Sequence, residues 1–149
     1  MKQSESDPQT GKFDKNNAAL FELYQAQIAS VPGLRLLAPS GVSFSNYQYA
    51  VCMVDEGEFG ISRDLLIKLL KAENVVARRY FNPGAHRSVP YGQEFPQFVE
   101  SLPNTDAVCA SVIQLPIGAL VNSSGVEKVC RLLHRIQMQS GDIRAALES

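Results

Sequence analysis

Apolar residues along the chain follow two rhythms, one of about 3.6 residues and one of about 2, broken by clusters of Pro, Gly, Asn and Ser. Leu20, Phe21, Tyr24 and Ile28 recur at helical spacing, behind Asn16 or Asn17 as a cap and ahead of a stop at Val31-Pro32-Gly33. LRLLAP then reads as a short extended piece and GVSFSN as a loop. Tyr47 to Asp55, YQYAVCMVD, is the clearest strand. Ala50, Cys52 and Val54 fall on one side and Tyr, Val and Met on the other, so both faces are predicted to be buried. Asp55 to Glu58 is predicted as a turn. Ser62 caps a second helix with the stripe Leu65, Leu66, Leu69 and Leu70, ending at Glu73-Asn74.

Val75 to Phe81 reads as a strand, and Asn82 to about Pro103 as a long loop or short-helix region. Asp106 to Ser111 is a small-residue helical stretch, and Val112 to Leu115 a strand closed by Pro116. Ser124 to Met138 is a last helix with Val126, Val129, Cys130, Leu133 and Ile136 inward. Residues 1–14 are polar and rich in breakers, so a disordered leader is predicted there, followed by one domain over 15–149. The order of elements predicts an α+β fold, a small mixed or antiparallel sheet packed with helices.

Composition narrows the chemistry. With 149 residues, a net charge of -1 and 19% charged residues, the chain has no global field for nucleic acid or anionic lipid. No apolar run approaches the roughly 18 to 20 residues that span a bilayer, and the first residues hold no apolar signal core. Cys52, Cys109 and Cys130 occupy unrelated contexts without a CxxC, and read as reduced, mostly buried thiols of a cytoplasmic protein. His86 and His134 have no ligands at metal spacing, so no metal site is predicted, and His134 reads as a helix-surface residue. No GxSxG, GxxxxGK[ST] or GxGxxG is present, so no catalytic residue is assigned.

One segment remains. ARRYFNPGAHRSVPYG, Ala77 to Gly92, gathers Arg78, Arg79, Tyr80, His86, Arg87 and Tyr91 around Pro83, Gly84 and Pro90. Two readings stay open for it. In the first the arginines flank a strand end as solvated or stem-buried side chains, and the tyrosine is core. In the second a stiff loop aims guanidinium forks and an imidazole at a phosphate or carboxylate, and these six residues bind substrate.

The stretches NYQYAVCMVD, FGISRDLLIKLL, NVVARRYFNPGAHRSVPY, LPNTDAV and LPIGALVNSSGVEKVCRLL, in that order, resemble the C-terminal small domain of the DegT/DnrJ/StrS-type sugar aminotransferases. NNAALFELYQAQIASVPGLRLL is similar to the stretch leading into it. The resemblance implies a pyridoxal-phosphate family that aminates keto-sugars carried on nucleotides. It places Tyr80 and His86 on the substrate side, and Arg78 or Arg79 near a phosphate or the domain junction. Such a family member holds its coenzyme on a lysine of a large domain. None of Lys2, Lys12, Lys15, Lys68, Lys71 and Lys128 stands in the family's lysine motif, so no cofactor is expected in this chain alone.

The resemblance therefore implies a stand-alone small domain, a non-catalytic module that binds a nucleotide-sugar or a partner. The partner is a second copy or a separate aminotransferase large domain. The alternative it leaves is one part of a split transaminase, active only with that large domain.

Overall fold

The computed structural model of the chain describes residues 8–148. Its first helix, α1 (Pro8–Ile28), is longer than its apolar stripe. Leu20, Phe21, Tyr24 and Ile28 are buried, as their spacing requires. Asn16 and Asn17 lie inside the helix and do not cap it; Pro8 opens it, where the missing proline N–H costs no hydrogen bond. Residues 8–14 of the expected leader are thus the first turns of α1, and residues 1–7 lie outside the described residues.

Gly33 turns the chain into β1 (Leu34–Leu36) with a φ of 74°. A Cβ there would overlap the backbone of Phe59, so both the conformation and the close approach call for glycine. The next strand, β2 (Ala50–Val54), is shorter than its pattern. Upstream, Ser45 Oγ accepts from Tyr47 N at 3.2 Å and Asn46 Oδ1 from Gln48 N at 3.2 Å, with Tyr47 at a φ of 47°. These local bonds divert the backbone from the ladder. Only one face of β2 is fully buried; Val51 and Met53 are half-buried, which corrects the two-sided expectation.

The expected turn after β2 is a helical one, α2 (Glu56–Phe59), because Asp55 Oδ1 accepts from Glu58 N at 3.1 Å. Ser62 caps α3 (Arg63–Ala72) as predicted, accepting from Leu65 N at 3.3 Å; Leu66 and Leu70 are its fully buried leucines. The strand predicted over Val75 to Phe81 shrinks to β3 (Arg78–Arg79). Asn74 and Phe81 adopt φ values of 60° and 48° on either side, and Val75 N donates to Leu70 O rather than to a strand.

Two 3-10 turns, Ala85–Arg87 and Pro96–Phe98, and a short helix α4 (Tyr91–Glu94) fill the long loop. Then come α5 (Pro103–Ser111), β4 (Val112–Leu115), α6 (Ser123–Met138) and α7 (Ser140–Glu148). Asn122 caps α6, and its five predicted inward residues are all buried. The helix α7 was not expected, since of its apolar residues Ile143 is the one that reaches the core.

The fold is α+β, with a sheet that is antiparallel throughout in the order β1-β2-β4-β3. Register sets Leu34 opposite Val54, Leu36 opposite Cys52, Cys52 opposite Ile113 and Ala50 opposite Leu115. Paired residues share a face, so these form one apolar surface. The helices α1 and α6 pack together over the core, and the Tyr24 hydroxyl donates to Pro116 O at 2.8 Å. Burial pushes the Cys52 thiol up to about 12 and the Cys130 thiol up to about 11, which marks both as packing residues. No helix among the described residues is long and apolar enough to cross a membrane.

Among the described residues Arg63 is the one buried charged side chain, 6% exposed. Its Nη1 donates to Cys109 O at 2.9 Å and Val112 O at 2.8 Å, where α5 gives way to β4. Replacing Arg63 by Met is expected to lower unfolding stability by about 2 to 4 kcal/mol, because two carbonyls lose a charged donor. Lys should not restore it, since one ammonium cannot reproduce the planar fork. Urea unfolding of both variants checks this; a loss below about 0.5 kcal/mol would mean that water substitutes for the guanidinium.

Candidate functional site

The six residues singled out in the sequence separate into two groups. At the sheet edge, Arg78 lies opposite Gln114 and Arg79 opposite Ile113, so the two arginines take opposite faces. Arg79 is bound bidentate by Asp64, with Nε–Oδ1 and Nη2–Oδ2 both 2.9 Å. Asp64 Oδ1 also accepts from Arg63 Nε at 2.6 Å. These bonds, Arg79's first, hold the Asp64 carboxyl below its ordinary range. Arg78 is exposed and makes no ion pair among the described residues. Tyr80 is half-buried and packs its ring on Tyr49 (centroids 5.6 Å apart) and on Phe81 (4.5 Å).

The second group hangs from the loop. Arg87 donates from Nε and Nη2 to the two oxygens of Asp106, both at 2.8 Å, and from Nη1 to Glu100 Oε1 at 3.1 Å. His86 Nε2 lies 2.9 Å from Asp106 Oδ1. Arg87, with His86 behind it, pulls the Asp106 carboxyl down to about 2, and Asp106 in turn raises Arg87 further above its usual value. An ionised carboxylate only accepts, so His86 Nε2 is the donor. His86 is 5% exposed on its side chain, and its Nδ1 is buried without a hydrogen-bond partner.

Beside this network a cavity of about 280 Å³ is lined by Ala85, His86, Tyr91, Phe95, Phe98 and Leu102. Its walls are almost wholly apolar and its aromatic rims are open: Tyr91 is 56% exposed, Phe95 45% and Phe98 46%. Phe81 and Val89 nearby in sequence are more exposed still. Contiguous apolar exposure of this kind marks a surface that something covers.

Of the six predicted residues, His86 and Tyr91 line this cavity together. Arg79 and Arg87 already face carboxylates of this chain, so a phosphate at either would compete with a bidentate partner. The sequence reading missed those partners, Asp64, Glu100 and Asp106, and also the buried Arg63. The one available signal was Asp106 in LPNTDAV, and its distance of 20 residues from His86 hid the pairing.

The lysines bear on a coenzyme aldehyde. Lys15, Lys68, Lys71 and Lys128 are all exposed, whereas a lysine that forms an imine needs a desolvated, oriented amine. None of these four lysines has such an environment.

The sequence matches the DegT/DnrJ/EryC1/StrS aminotransferase family over residues 9–134. The chain belongs to that family. An Escherichia coli protein named dTDP-4-amino-4,6-dideoxy-D-glucose transaminase is 32% identical over 111 residues, 74% of this chain and 30% of that protein. A Shigella dysenteriae protein of the same name is 31% identical over 123 residues, 81% of this chain and 32% of its own length. Among solved structures, DesI, crystallised in the presence of its TDP-sugar product, superposes with a TM-score of 0.83 at 29% identity, over 93% of this chain and 35% of DesI. The aminotransferase TlmJ from Streptoalloteichus hindustanus, at 23% identity and a TM-score of 0.71 over 85% of this chain and 32% of TlmJ, shares the fold. The chain spans about a third of the length of the curated relatives it matches.

Asp106 binds its proton less tightly folded, at about 2, than at its ordinary 3.8. Its stabilisation is therefore complete above the ordinary value and is lost as pH falls through about 2. Asp64 acts with the same sign. Urea midpoints taken from about pH 5 down to about pH 2.5 should fall further for the unsubstituted chain than for Asp106→Asn, which has already lost the charge. Equal falls would show that the loop network adds nothing to folding.

Proposed function

We propose that this chain works as the closing domain of a sugar aminotransferase, a module that binds and docks but does not catalyse on its own. The observation that carries the reading is the open aromatic shelf of Tyr91, Phe95, Phe98 and Leu102, continuous with a loop already locked by Asp106. A locked loop with apolar side chains facing outward binds with little ordering cost. The partner it fits is the pyridoxal-phosphate-bearing large domain of the same family, since this chain corresponds to about a third of its relatives.

Under this reading the substrate is a nucleotide-linked keto-sugar of the class named for the relatives. Arg78, Tyr80, His86 and Tyr91 face it, while Arg79 and Arg87 hold the wall in place. Three unpaired thiols suit a reducing compartment such as the cytoplasm. If docking restores turnover, the chain is one part of a split enzyme; if docking occurs without turnover, it is a binding module.

The purified chain should show no transamination of a dTDP-linked keto-sugar. Mixed with a coenzyme-loaded large domain of a family member, it should form a complex that Phe95→Asp together with Phe98→Asp weakens at least about tenfold, as loss of central aromatic anchors does. Circular dichroism and thermal melts of the double variant confirm that it folds. Turnover by the chain alone would refute the non-catalytic assignment, and unchanged association of the double variant would refute the docking face.

A further inference from the structure

Cys52 and Cys130 are buried in the core, whereas Cys109 is half-buried on α5. Cys109 follows Asp106 by three residues on that helix, so both side chains project from one helical face. That face meets the loop at His86. Nε2 of the ring lies 2.9 Å from Asp106 Oδ1, and the Nδ1 edge turns toward Gly84 and the thiol. A Cβ on Gly84 would stand 2.8 Å from His86 Nδ1 and 3.2 Å from Cys109 Sγ. The bare Cα of Gly84 is what lets ring and sulfur close on the same point.

His86 Nδ1 is buried without a hydrogen-bond partner, on a side chain that is 5% exposed. A buried polar atom left unmet is costly, and native structures keep few of them. With Nε2–H donated to the Asp106 carboxylate, the neutral ring carries its lone pair on Nδ1, an acceptor beside a thiol. The titratable groups around the ring are Asp106 and Cys109 on α5, Arg87 on its own turn and Tyr91 across the cavity. A nucleophile, a base with a free lone pair and a carboxylate that orients the base are the parts of an activated thiol. Nδ1 and Sγ are not hydrogen-bonded in this structure, and such contacts are often long before a reactant arrives.

We propose that Cys109 is a reactive thiol for exchange with small organic disulfides, with His86 as its base and Asp106 holding the ring. The Cys109 S–H gives its proton to His86 Nδ1, and the thiolate attacks one sulfur of the reagent. A new S–S bond forms as the old one breaks, and the departing thiolate takes the proton from the imidazolium. Cys109 is thereby oxidised to a mixed disulfide, and half of the reagent is reduced to a thiol. Asp106, which stays ionised, favours the imidazolium that forms in between. An excess of small thiol reverses the step by the same route. The step needs no large domain, and it stands or falls apart from the docking reading.

The test treats the reduced whole chain with hydroxyethyl disulfide and follows each cysteine by peptide mass. Cys109 should form the mixed disulfide while Cys52 and Cys130 stay free. At about pH 7 it should react about tenfold or more faster in the folded chain than in the chain unfolded by urea, although folding half-buries it. His86→Gln keeps an amide donor for Asp106 but no base, and should slow the folded chain by about tenfold or more at that pH. At about pH 10, where a thiol ionises unaided, variant and unsubstituted chain should react alike. Circular dichroism at both pH values checks that each is folded. Slower reaction folded than unfolded at the lower pH would overturn the proposal without any variant. So would labelling centred on Cys52 or Cys130, a variant as fast as the unsubstituted chain at the lower pH, or one slowed equally at both, which would mean that His86 only shapes access.

Discussion

A strand of two residues cannot hold itself against a sheet. The strand β3 meets β4 through Arg78 and Arg79 alone, yet the long loop that carries the aromatic shelf starts from it. What fixes it is a relay of charge: Arg79 clamps Asp64, Asp64 accepts from Arg63, and Arg63 is buried against the carbonyls of Cys109 and Val112. The outer part of the relay is exposed and of small energetic value by itself. Its inner end is desolvated, where an unmet donor or acceptor is costly. The buried guanidinium therefore anchors α3, α5 and β4 together, and the surface pair extends that anchor to the sheet edge.

The loop repeats the device at a second carboxylate. Asp106, on α5, takes both donors of Arg87 and the ring of His86, so the same short helix that Arg63 holds at its C-terminal end also holds the loop. Cations that read as ligands for an external anion are thus consumed in fixing geometry. That leaves the loop rigid, nearly neutral and apolar at its outer surface, a combination suited to covering another protein surface or the organic part of a ligand.

Much of the fold could be read from the chain because its signals are local. The stripes of α3 and α6, the Ser62 cap and the alternation in β2 each depend on residues a few positions apart, and the structure follows them. What could not be read depends on pairs far apart or on single backbone angles. The short β3 results from positive φ at Asn74 and Phe81, residues for which nothing in the pattern demands it. The helix α2 was hidden because Asp55 to Glu58 suits a turn and a capped helical turn equally well. The resemblance pointed to the segment from Ala77 to Gly92, but the acids 13 to 20 residues from its cations were beyond any spacing argument.

The same limit explains why composition misleads about anions in this protein. Arg79 and Arg87 lie in the segment densest in positive charge, and each is neutralised by a carboxylate brought in from another element. Lys128 and Arg131 lie on an ordinary amphipathic helix, where charged residues usually only solvate, and both are exposed and outside any ion pair among the described residues. An arginine's availability to a ligand is set by the tertiary position of the nearest carboxylate rather than by its own neighbourhood in sequence. On that criterion the positive charge of the loop is spent inside the fold, and its exposed apolar side chains are the part left to meet another surface.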